Sequence, residues 1–551
     1  MNLLHNPWMP VRDAAGQRHW ITPDQLSDPQ WLAFDADRPD FNGALAQFAI
    51  GLLQTTTPAG DSIEWRGLFN TPPTAARLRQ WFEPVAAAFA LDGDGPRFMQ
   101  DFGLAAEVGK SSPISEILID APGESSLDAN KDFFVKRGVV NAMCSDCAAA
   151  ALFTLQINAP EGGRGHFTGL RGGGPLTTLV VHGNATYLWR DLWMNVIETS
   201  IATGQGSEQS LPLRQALFPW LGPVEQLQQP GGSITSAQVD HLHAYWAMPR
   251  RIRLVFSNEN GTTPCSICTR PSPTVASELR SRPNGFNYPS NTWRHPLTPY
   301  REKDGAWLPI RPKADGLGYR HWLAWTLAMG QVAVQRARVV DQALVHRHRQ
   351  LAHGLRLWSF GYEMRKDKAV CWHESSLPTY HLGECDKEQI QLIQSEVGRW
   401  LAAAELAALY LRNGVKDAWF SGTARGDFGH IDASFWGATE PSFYRHLQAL
   451  IDTARSDTEH PALAVRQAWH ATLVRTALRL FDQTFVGTGA IERQNPRRTA
   501  LAHKQLGRNL HGPKLRLALG LPSDDPGPKP ARKASKSATK SAAQPPAKES
   551  A

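Results

Sequence analysis

Cysteines are few in this sequence, and long apolar runs are missing. Six cysteines among 551 residues are too few for the disulfide framework of a small secreted protein. No run of about 18 apolar residues occurs, so we predict no membrane span and no membrane partner. The first eight residues lack a basic segment followed by an apolar core, so we expect no export and a cytoplasmic location.

Motifs of common nucleotide-binding and metal-dependent enzymes are also missing. The glycine-rich stretch 161–174 has no Gly-Lys-Ser/Thr at phosphate-loop spacing and does not match the dinucleotide fingerprint. His346, His348 and His353 are close in sequence but not in the H-E-x-x-H arrangement. The chain also lacks the clustered carboxylates that an open catalytic metal site requires. We therefore predict a protein that is not an enzyme.

The charge balance is modestly basic. There are 58 Lys and Arg against 51 Asp and Glu, a formal net charge of +7. Such an excess suits a polyanionic partner, although ordinary solvated surface charge explains it equally well. The C-terminal end is rich in Lys, Ala, Ser and Pro, and we expect residues 516–551 to form a disordered basic tail.

Four of the cysteines form two C-x-x-C knuckles. These are Cys144 with Cys147, and Cys265 with Cys268. A knuckle turns two thiolates to the same side, and four thiolates suit a closed tetrahedral zinc site, so we predict a structural zinc ion. Two redox disulfides are the alternative, which we disfavour because neither knuckle is expected to open a helix after a strand.

A glycine-rich segment follows the first knuckle. Residues 161–174 include seven glycines, which permit positive φ and close approach of the backbone to a partner. A backbone without side chains can enter a groove about 6 Å wide, as the DNA minor groove is. Arg164 and Arg171 would lie in the negative potential of that groove. A long hairpin connection is the alternative interpretation.

Two other stretches are candidates for contact with a partner. Phe133 and Phe134 lie between Lys131 and Lys136, a combination that can stack on bases and hold phosphates; the alternative is an ordinary surface loop. Strands 355–362 and 369–374 are predicted with a polar, projecting tip between them.

The predicted elements indicate an α+β fold. Helices are expected at 43–55 and at 74–89, the second interrupted by Pro84, and residues 318–353 have a helical pattern. Cys371 and Cys385 are predicted to be buried thiols. Residues 1–385 are interpreted as a large mixed α/β N-terminal domain that contains the zinc-knuckle site. A C-terminal four-helix bundle is predicted in residues 386–515, with helices at 386–413, 441–455, 461–485 and 496–511.

The order of motifs resembles the CasA family, the large subunits of the type I-E CRISPR surveillance complex Cascade. The resemblance covers about residues 1–515, and the glycine segment between two knuckles is its specific part. The motifs are Leu3-x-x-x-Pro7-Trp8-x-Pro10-Val11, Cys144-x-x-Cys147, Gly-Leu-Arg-Gly-Gly-Gly-Pro-Leu-Thr-Thr at 169–178, Cys265-x-x-Cys268, Trp293-x-His295-Pro296 and Phe360-Gly361-Tyr362.

The resemblance implies a non-catalytic subunit that reads a protospacer-adjacent motif in double-stranded DNA, chiefly from the minor groove. It implies that the subunit promotes R-loop formation by the guide RNA. The implied partners are target DNA, the guide RNA, the other Cascade subunits and the helicase–nuclease that docks on this subunit. In RNA-guided systems base pairing supplies sequence, so the protein reads only a short flanking motif.

The resemblance also assigns roles to residues. The loop of Gly162, Gly163, Arg164 and Gly165 would approach the motif, and either Arg280 or Arg282 would reach the same groove. A strand-separating wedge would consist of Asp367, Lys368 and Ala369, and the loop of Phe133 and Phe134 would lie near the guide.

Two residues depart from the family pattern. Arg164 occupies a loop position where small residues are usual, and Lys368 replaces a glutamine present in some relatives.

Two rival functions are a zinc-stabilised RNA-binding scaffold that does not read duplex DNA, and a metal-dependent nuclease.

Overall fold

The computed structural model describes most of the chain. The described residues are 1–105, 107–130, 132, 136–163, 165–183, 187–198, 214–313, 316–327, 333–346, 354–366, 368–380, 382, 385–421, 426, 428–456, 462–487 and 495–522. The residues singled out from the sequence that lie outside them are Lys131, Phe133, Phe134, Arg164, His348, His353 and Asp367. The tail beyond residue 522 also lies outside.

The described chain contains both helices and strands, as the α+β prediction requires. The strands are β1 Met9–Arg12, β2 Arg18–Ile21, β3 Ala33–Phe34, β4 Lys110–Pro113, β5 Met143–Cys144, β6 Thr177–His182, β7 Arg251–Pro264, β8 Pro271–Arg282, β9 Tyr300–Lys303, β10 Ala306–Pro309, β11 Val334–Gln335, β12 Leu355–Arg365 and β13 Lys368–Pro378. The helices are α1 Pro39–Thr56, α2 Ser62–Asn70, α3 Ala75–Phe82, α4 Glu124–Asp128, α5 Ser145–Asn158, α6 Leu188–Trp193, α7 Trp322–Leu327, α8 Arg338–Asp341, α9 Lys387–Trp419, α10 Gly429–Ser456, α11 Ala462–Leu480, α12 Pro496–Leu510 and α13 Pro513–Ala518.

The first hydrophobic core surrounds helix α1. This 18-residue helix is buried on nearly every face, as expected of a helix that is apolar all round. At its centre, Phe48 packs against five aromatic rings at centroid distances of 5.1–5.8 Å, those of Trp8, Phe89, Phe98, Phe153 and Trp246. The predictions of a helix at 43–55 and of a helix interrupted by Pro84 are confirmed, since α3 ends at Phe82 and a 3₁₀ segment follows it.

The strands form small antiparallel sheets. Strand β8 pairs along one edge with β7 and along the other with β4 and β5. A second sheet has the order β13-β12-β6, and the remaining two have the orders β2-β1-β3 and β10-β9-β11. The β8 sheet therefore connects both cysteine knuckles to the arginines at its far end.

The β12–β13 hairpin is confirmed, but its tip is shorter than predicted. The strands pair as far as Arg365 with Lys368, which leaves a two-residue connection instead of a six-residue tip. Lys366 takes φ +58° there, the left-handed conformation that such short turns require. The prediction of buried thiols nearby is wrong, because Cys371 is exposed on β13 and Cys385 is only half-buried.

A second hydrophobic core lies in the C-terminal region. Helices α9, α10, α11 and α12 share it, and within it the buried Glu396 is paired with Arg466. Helix α9 begins where predicted, because Asp386 and Gln389 form a capping box. Tyr319 and Trp322 also enter this core, and the Trp322 indole donates to the Pro378 carbonyl at the end of β13.

Three expectations about the C-terminal half are corrected. Helix α10 begins at Gly429, instead of at the predicted residue 441, and continues through Pro441. A proline has no N–H to donate, and the carbonyl that is left without this hydrogen bond belongs to the exposed Gly437. The folded region continues past residue 515, since Leu519 and Leu521 are buried.

The third correction concerns residues 318–353. Their described part holds a 3₁₀ turn at Tyr319–His321, the short helices α7 and α8, strand β11 and one π-helical turn. Among the helices that the structure describes, none is both long and apolar enough to cross a bilayer.

Candidate metal centre and nucleic-acid interface

The first knuckle lies where a strand meets a helix. Cys144 ends β5 and is the N-cap of α5, and Cys147 lies in the first turn of that helix. Residues three apart lie on one helix face, so both thiols point the same way. The expectation that neither knuckle opens a helix after a strand is wrong for this one, because two residues are enough for β5 to pair with β8.

The second knuckle forms the turn between β7 and β8. Within the turn, the Cys265 amide donates to the Arg270 carbonyl at 2.9 Å, and the Thr269 amide donates to the Cys265 carbonyl at 2.9 Å. The Ser266 amide donates to the Ala142 carbonyl at 2.8 Å. The second turn is therefore held directly against the segment that enters the first knuckle.

The four knuckle thiols converge. Their sulfur atoms all lie within 4.8 Å of one another, and all four residues are buried. The Sγ atoms of Cys144 and Cys268 are 3.7 Å apart, too far for a disulfide bond of about 2.05 Å. Tetrahedral coordination with Zn–S distances of about 2.3 Å places sulfurs about 3.8 Å apart. The donor set therefore fits a four-coordinate metal ion.

The shifted pKa values of the four thiols also favour a bound metal ion. Hydrogen bonds with the other three thiols raise the pKa of Cys147. Hydrogen bonds from Cys144 and Cys147 lower the pKa of Cys265 and lower the pKa of Cys268 to about 6. Ionisation of Cys265 and Cys268 thus depends on protons that Cys144 and Cys147 retain, and a divalent cation would allow all four to be thiolates together.

The glycine loop lies one helix away from the knuckles. Helix α5 has 14 residues, a length of about 21 Å, and the loop follows it. The Gly162 amide donates to the His166 carbonyl at 3.1 Å, and the His166 amide donates to the Gly163 carbonyl at 2.9 Å. A Cβ at Gly163 would meet nothing within 4 Å. The loop is therefore a closed turn in which Gly163 presents bare backbone.

The other side of the loop packs against the end of β8. Gly165 takes φ +82°, and a Cβ there would lie 2.7 Å from the Pro283 Cβ. The Asn284 amide donates to the Gly165 carbonyl at 2.8 Å. Helix α5 and strand β8 therefore leave the cysteine cluster separately and meet again at this contact.

Positive charge without a carboxylate partner lies under the loop. Arg250 is 9% exposed, donates to the Pro160 carbonyl, and has no acidic partner among the residues that the structure describes. Burial lowers its pKa to about 10. Burial, with Arg250 and Lys110 nearby, also lowers the pKa of His166. The sequence alone does not single out Arg250, because only its burial without an acid distinguishes it from other arginines.

The two candidate arginines of β8 differ in their surroundings. Arg280 is half-buried, and its guanidinium lies 3.5 Å from Glu278. Arg282 is exposed at the end of the strand, opposite Arg251 of β7, and it directly precedes the segment that contacts the loop. The structure therefore places Arg282 nearer the glycine loop along the chain.

Arg171 does not belong to this surface. It is 3% exposed and donates to Gln47 Oε1 at 2.6 Å, and to Thr177 Oγ1 and Thr298 Oγ1 at 3.0 Å each. Burial lowers its pKa to about 10. The expectation that Arg171 would enter a DNA groove is wrong, since its buried side chain joins Gln47 of helix α1 to Thr177 and Thr298 through hydrogen bonds.

The segment 169–174 connects the glycine loop to the hairpin. The Gly169 amide donates to the Ala159 carbonyl at 3.0 Å, and a Cβ at Gly174 would lie 2.7 Å from the Tyr362 carbonyl oxygen. At the hairpin tip, Lys368 is exposed and its Nζ donates to Ser126 Oγ at 2.6 Å, while Ala369 is half-buried.

Comparison with known proteins identifies relatives over nearly the whole chain. Residues 2–480 match the family described as CRISPR-associated protein Cse1. The fold is similar to CasA of Thermus thermophilus, with 16% identity, 93% of this chain and 99% of that chain covered, and a TM-score of 0.64. It is similar to Cse1 of Thermobifida fusca, with 15% identity, 94% and 98% covered, and a TM-score of 0.67. It is also similar to a chain solved as "CRISPR RNA-guided surveillance complex", with 16% identity, 93% and 99% covered, and a TM-score of 0.64.

Two glycines of the loop should respond differently to alanine. Gly165→Ala introduces a Cβ at positive φ, which costs about 1–2 kcal/mol, and also crowds Pro283. We expect faster amide hydrogen exchange at Asn284 in this variant. Gly163→Ala is the matched control, because its Cβ meets nothing. Equal exchange at Asn284 in the two variants would contradict the proposed loop packing.

Proposed function

The chain belongs to the CRISPR-associated Cse1 family, and on that premise we propose that it is the large, non-catalytic subunit of a Cascade-type, RNA-guided DNA surveillance complex. A chain of similar fold was solved within a complex of that kind. In this role the subunit reads the motif beside the target, promotes R-loop formation and provides the docking surface for the helicase–nuclease.

Motif reading is assigned to the glycine loop. The observation that carries this proposal is the bare tip at Gly163 above Arg250, a buried cation without an acidic partner among the described residues. Backbone can enter a narrow minor groove where side chains would clash, and uncompensated positive charge favours the groove's negative potential. Exposed Arg282 is the β8 arginine assigned to the same groove, and Arg164 extends the loop. Reading from this groove mainly separates A·T from G·C, so recognition is permissive.

Strand separation is assigned to the tip of the β12–β13 hairpin. The two strands pair along almost their whole length, so Lys368 and Ala369 lie at the end of a stiff hairpin. Asp367, outside the described residues, is assigned to the same wedge. Opening each base-pair step costs roughly 1.4 kcal/mol, which an inserted, rigid tip can offset. Because Lys368 carries a point charge instead of a planar amide, it acts through phosphates or carbonyls without bidentate base contacts.

The two hydrophobic cores support the assignment of different functions to the N-terminal and C-terminal parts of the chain. We assign residues 1–385 to an N-terminal domain that reads DNA, in which the loop of Phe133 and Phe134 contacts the guide RNA. The C-terminal helices are interpreted as a four-helix bundle, which contacts the other Cascade subunits. Tyr319 and Trp322 join the two parts, since both enter the second core.

The cysteine cluster is assigned a structural zinc ion. Cys144, Cys147, Cys265 and Cys268 would hold it in a closed site with no open position, so it supplies cross-linking and no catalysis. The knuckle residues themselves fix the β5–α5 junction against the β7–β8 turn.

Metal analysis and thiol reactivity test the zinc assignment together. We expect one zinc ion per purified chain and modification of the exposed Cys371, with the four clustered thiols protected until a chelator is added. Cys371 serves as the internal control. Absence of zinc, with all four clustered thiols reacting as fast as Cys371, would refute the assignment.

Duplex binding by the assembled complex tests motif reading and strand opening. Gly163→Asp places a negative charge at the loop tip, and we expect binding of motif-bearing duplex to weaken by roughly tenfold or more, about 1.4 kcal/mol. Lys368→Ala should retain initial binding but slow strand opening, measured by fluorescence of a base analogue beside the motif. Initial binding should weaken with added salt.

The matched controls are Gly67→Asp, at an open and exposed helical glycine, and Lys387→Ala, at the exposed start of α9. Wild-type binding and opening in both test variants would remove the proposal. Equal wild-type affinity for duplexes with and without the motif would instead favour an RNA-binding scaffold.

A further inference from the structure

With zinc bound to four thiolates, the cysteine cluster would carry more negative charge than the ion can neutralise. Four thiolates exceed the charge of a divalent cation by two. Asp146, between the two cysteines of the first knuckle, adds a carboxylate whose side chain is only 19% exposed. The N-terminus of α5 offsets only about half a charge. A partly buried excess of this size destabilises the bound metal unless another cation balances it.

Arg270 occupies the position that such a cation requires. It lies two residues after Cys268, and its guanidinium forms an ion pair with Asp146. Its Cζ lies 3.9 Å from the centroid of the Trp20 ring, and its carbonyl accepts from the Cys265 amide at 2.9 Å.

We propose that Arg270 is a positioning residue of the metal centre, which retains the ion by balancing the combined charge of the thiolates and Asp146. The proposal rests on the zinc assignment and is independent of DNA recognition. The Trp20 face orients the guanidinium and limits its contact with water, so its attraction to the thiolates is weakly screened. Partners of this kind around a metal site typically change metal affinity by 10–100-fold.

A purely mechanical role gives a different expectation. Arg270 also connects β2, through Trp20, to the second knuckle, so its removal alone could loosen the turn. A role in charge balance predicts that removing the Asp146 charge compensates for loss of Arg270. A mechanical role predicts no such compensation, because Asn at position 146 restores no contact to Trp20.

The test follows zinc release from the full chain to a chromophoric chelator. We expect Arg270→Met to speed release at least tenfold, Arg270→Lys to have an intermediate effect, and Asp146→Asn combined with Arg270→Met to return the rate to within about threefold of wild type. Arg294→Met is the matched control, since Arg294 also stacks on an aromatic ring, Tyr300 at 4.9 Å, away from the cysteines.

Cobalt substitution provides a readout of site geometry. Thiolate-to-cobalt charge-transfer absorption should persist in every variant, showing that the four ligands still converge. Wild-type release from Arg270→Met, or equally fast release from the single and double variants, would overturn the role of Arg270 alone. A wild-type chain that binds neither zinc nor cobalt through its cysteines would overturn the metal site and this proposal together.

Discussion

Convergence of four thiols from two distant parts of the chain is the constraint on which the described N-terminal region depends. Cys144 and Cys268 approach to 3.7 Å although more than a hundred residues separate them in the sequence. The contact fixes a strand–helix junction against a hairpin turn. A metal ion bound by these thiols would contribute directly to folding free energy, because the site does not exist in the unfolded chain. The contact also places the start of α5 beside the start of β8.

The proposed functional surface lies at the far ends of those two elements. Helix α5 leads to the glycine loop, and β8, about 40 Å long for its 12 residues, leads to Arg282 and Asn284. The contact between Gly165 and Asn284 closes the frame, and Arg250 beneath it supplies charge without an acidic partner in the described part of the chain. Segment 169–174 then links this frame to β12 of the hairpin, near its tip. The proposed reading loop and wedge are thus parts of one packed assembly.

Sequence patterns predict the elements whose signals are local. The cysteine spacing predicts the cluster, and apolar periodicity predicts both α1 and α9. Tertiary contacts decide the rest. Sequence reasoning places Arg171 on the DNA-binding surface, because none of its partners in the core is an acidic residue that would suggest an ion pair. These partners are Gln47, Thr177 and Thr298. The sequence suggests a helix start at Pro441 because nothing in it shows that Gly437 is exposed. Arg250 gives no signal, since burial without an acid is visible only in the fold.

Amide hydrogen exchange at Asn284, measured with the metal bound and after its removal, tests the central claim most directly. The cysteine cluster and this amide lie at opposite ends of β8, so the measurement asks whether the cross-link holds the glycine loop in place. The account predicts that the hydrogen bond from Asn284 to the Gly165 carbonyl loses protection when the metal is removed. Unchanged protection in the metal-free, still folded chain would contradict it.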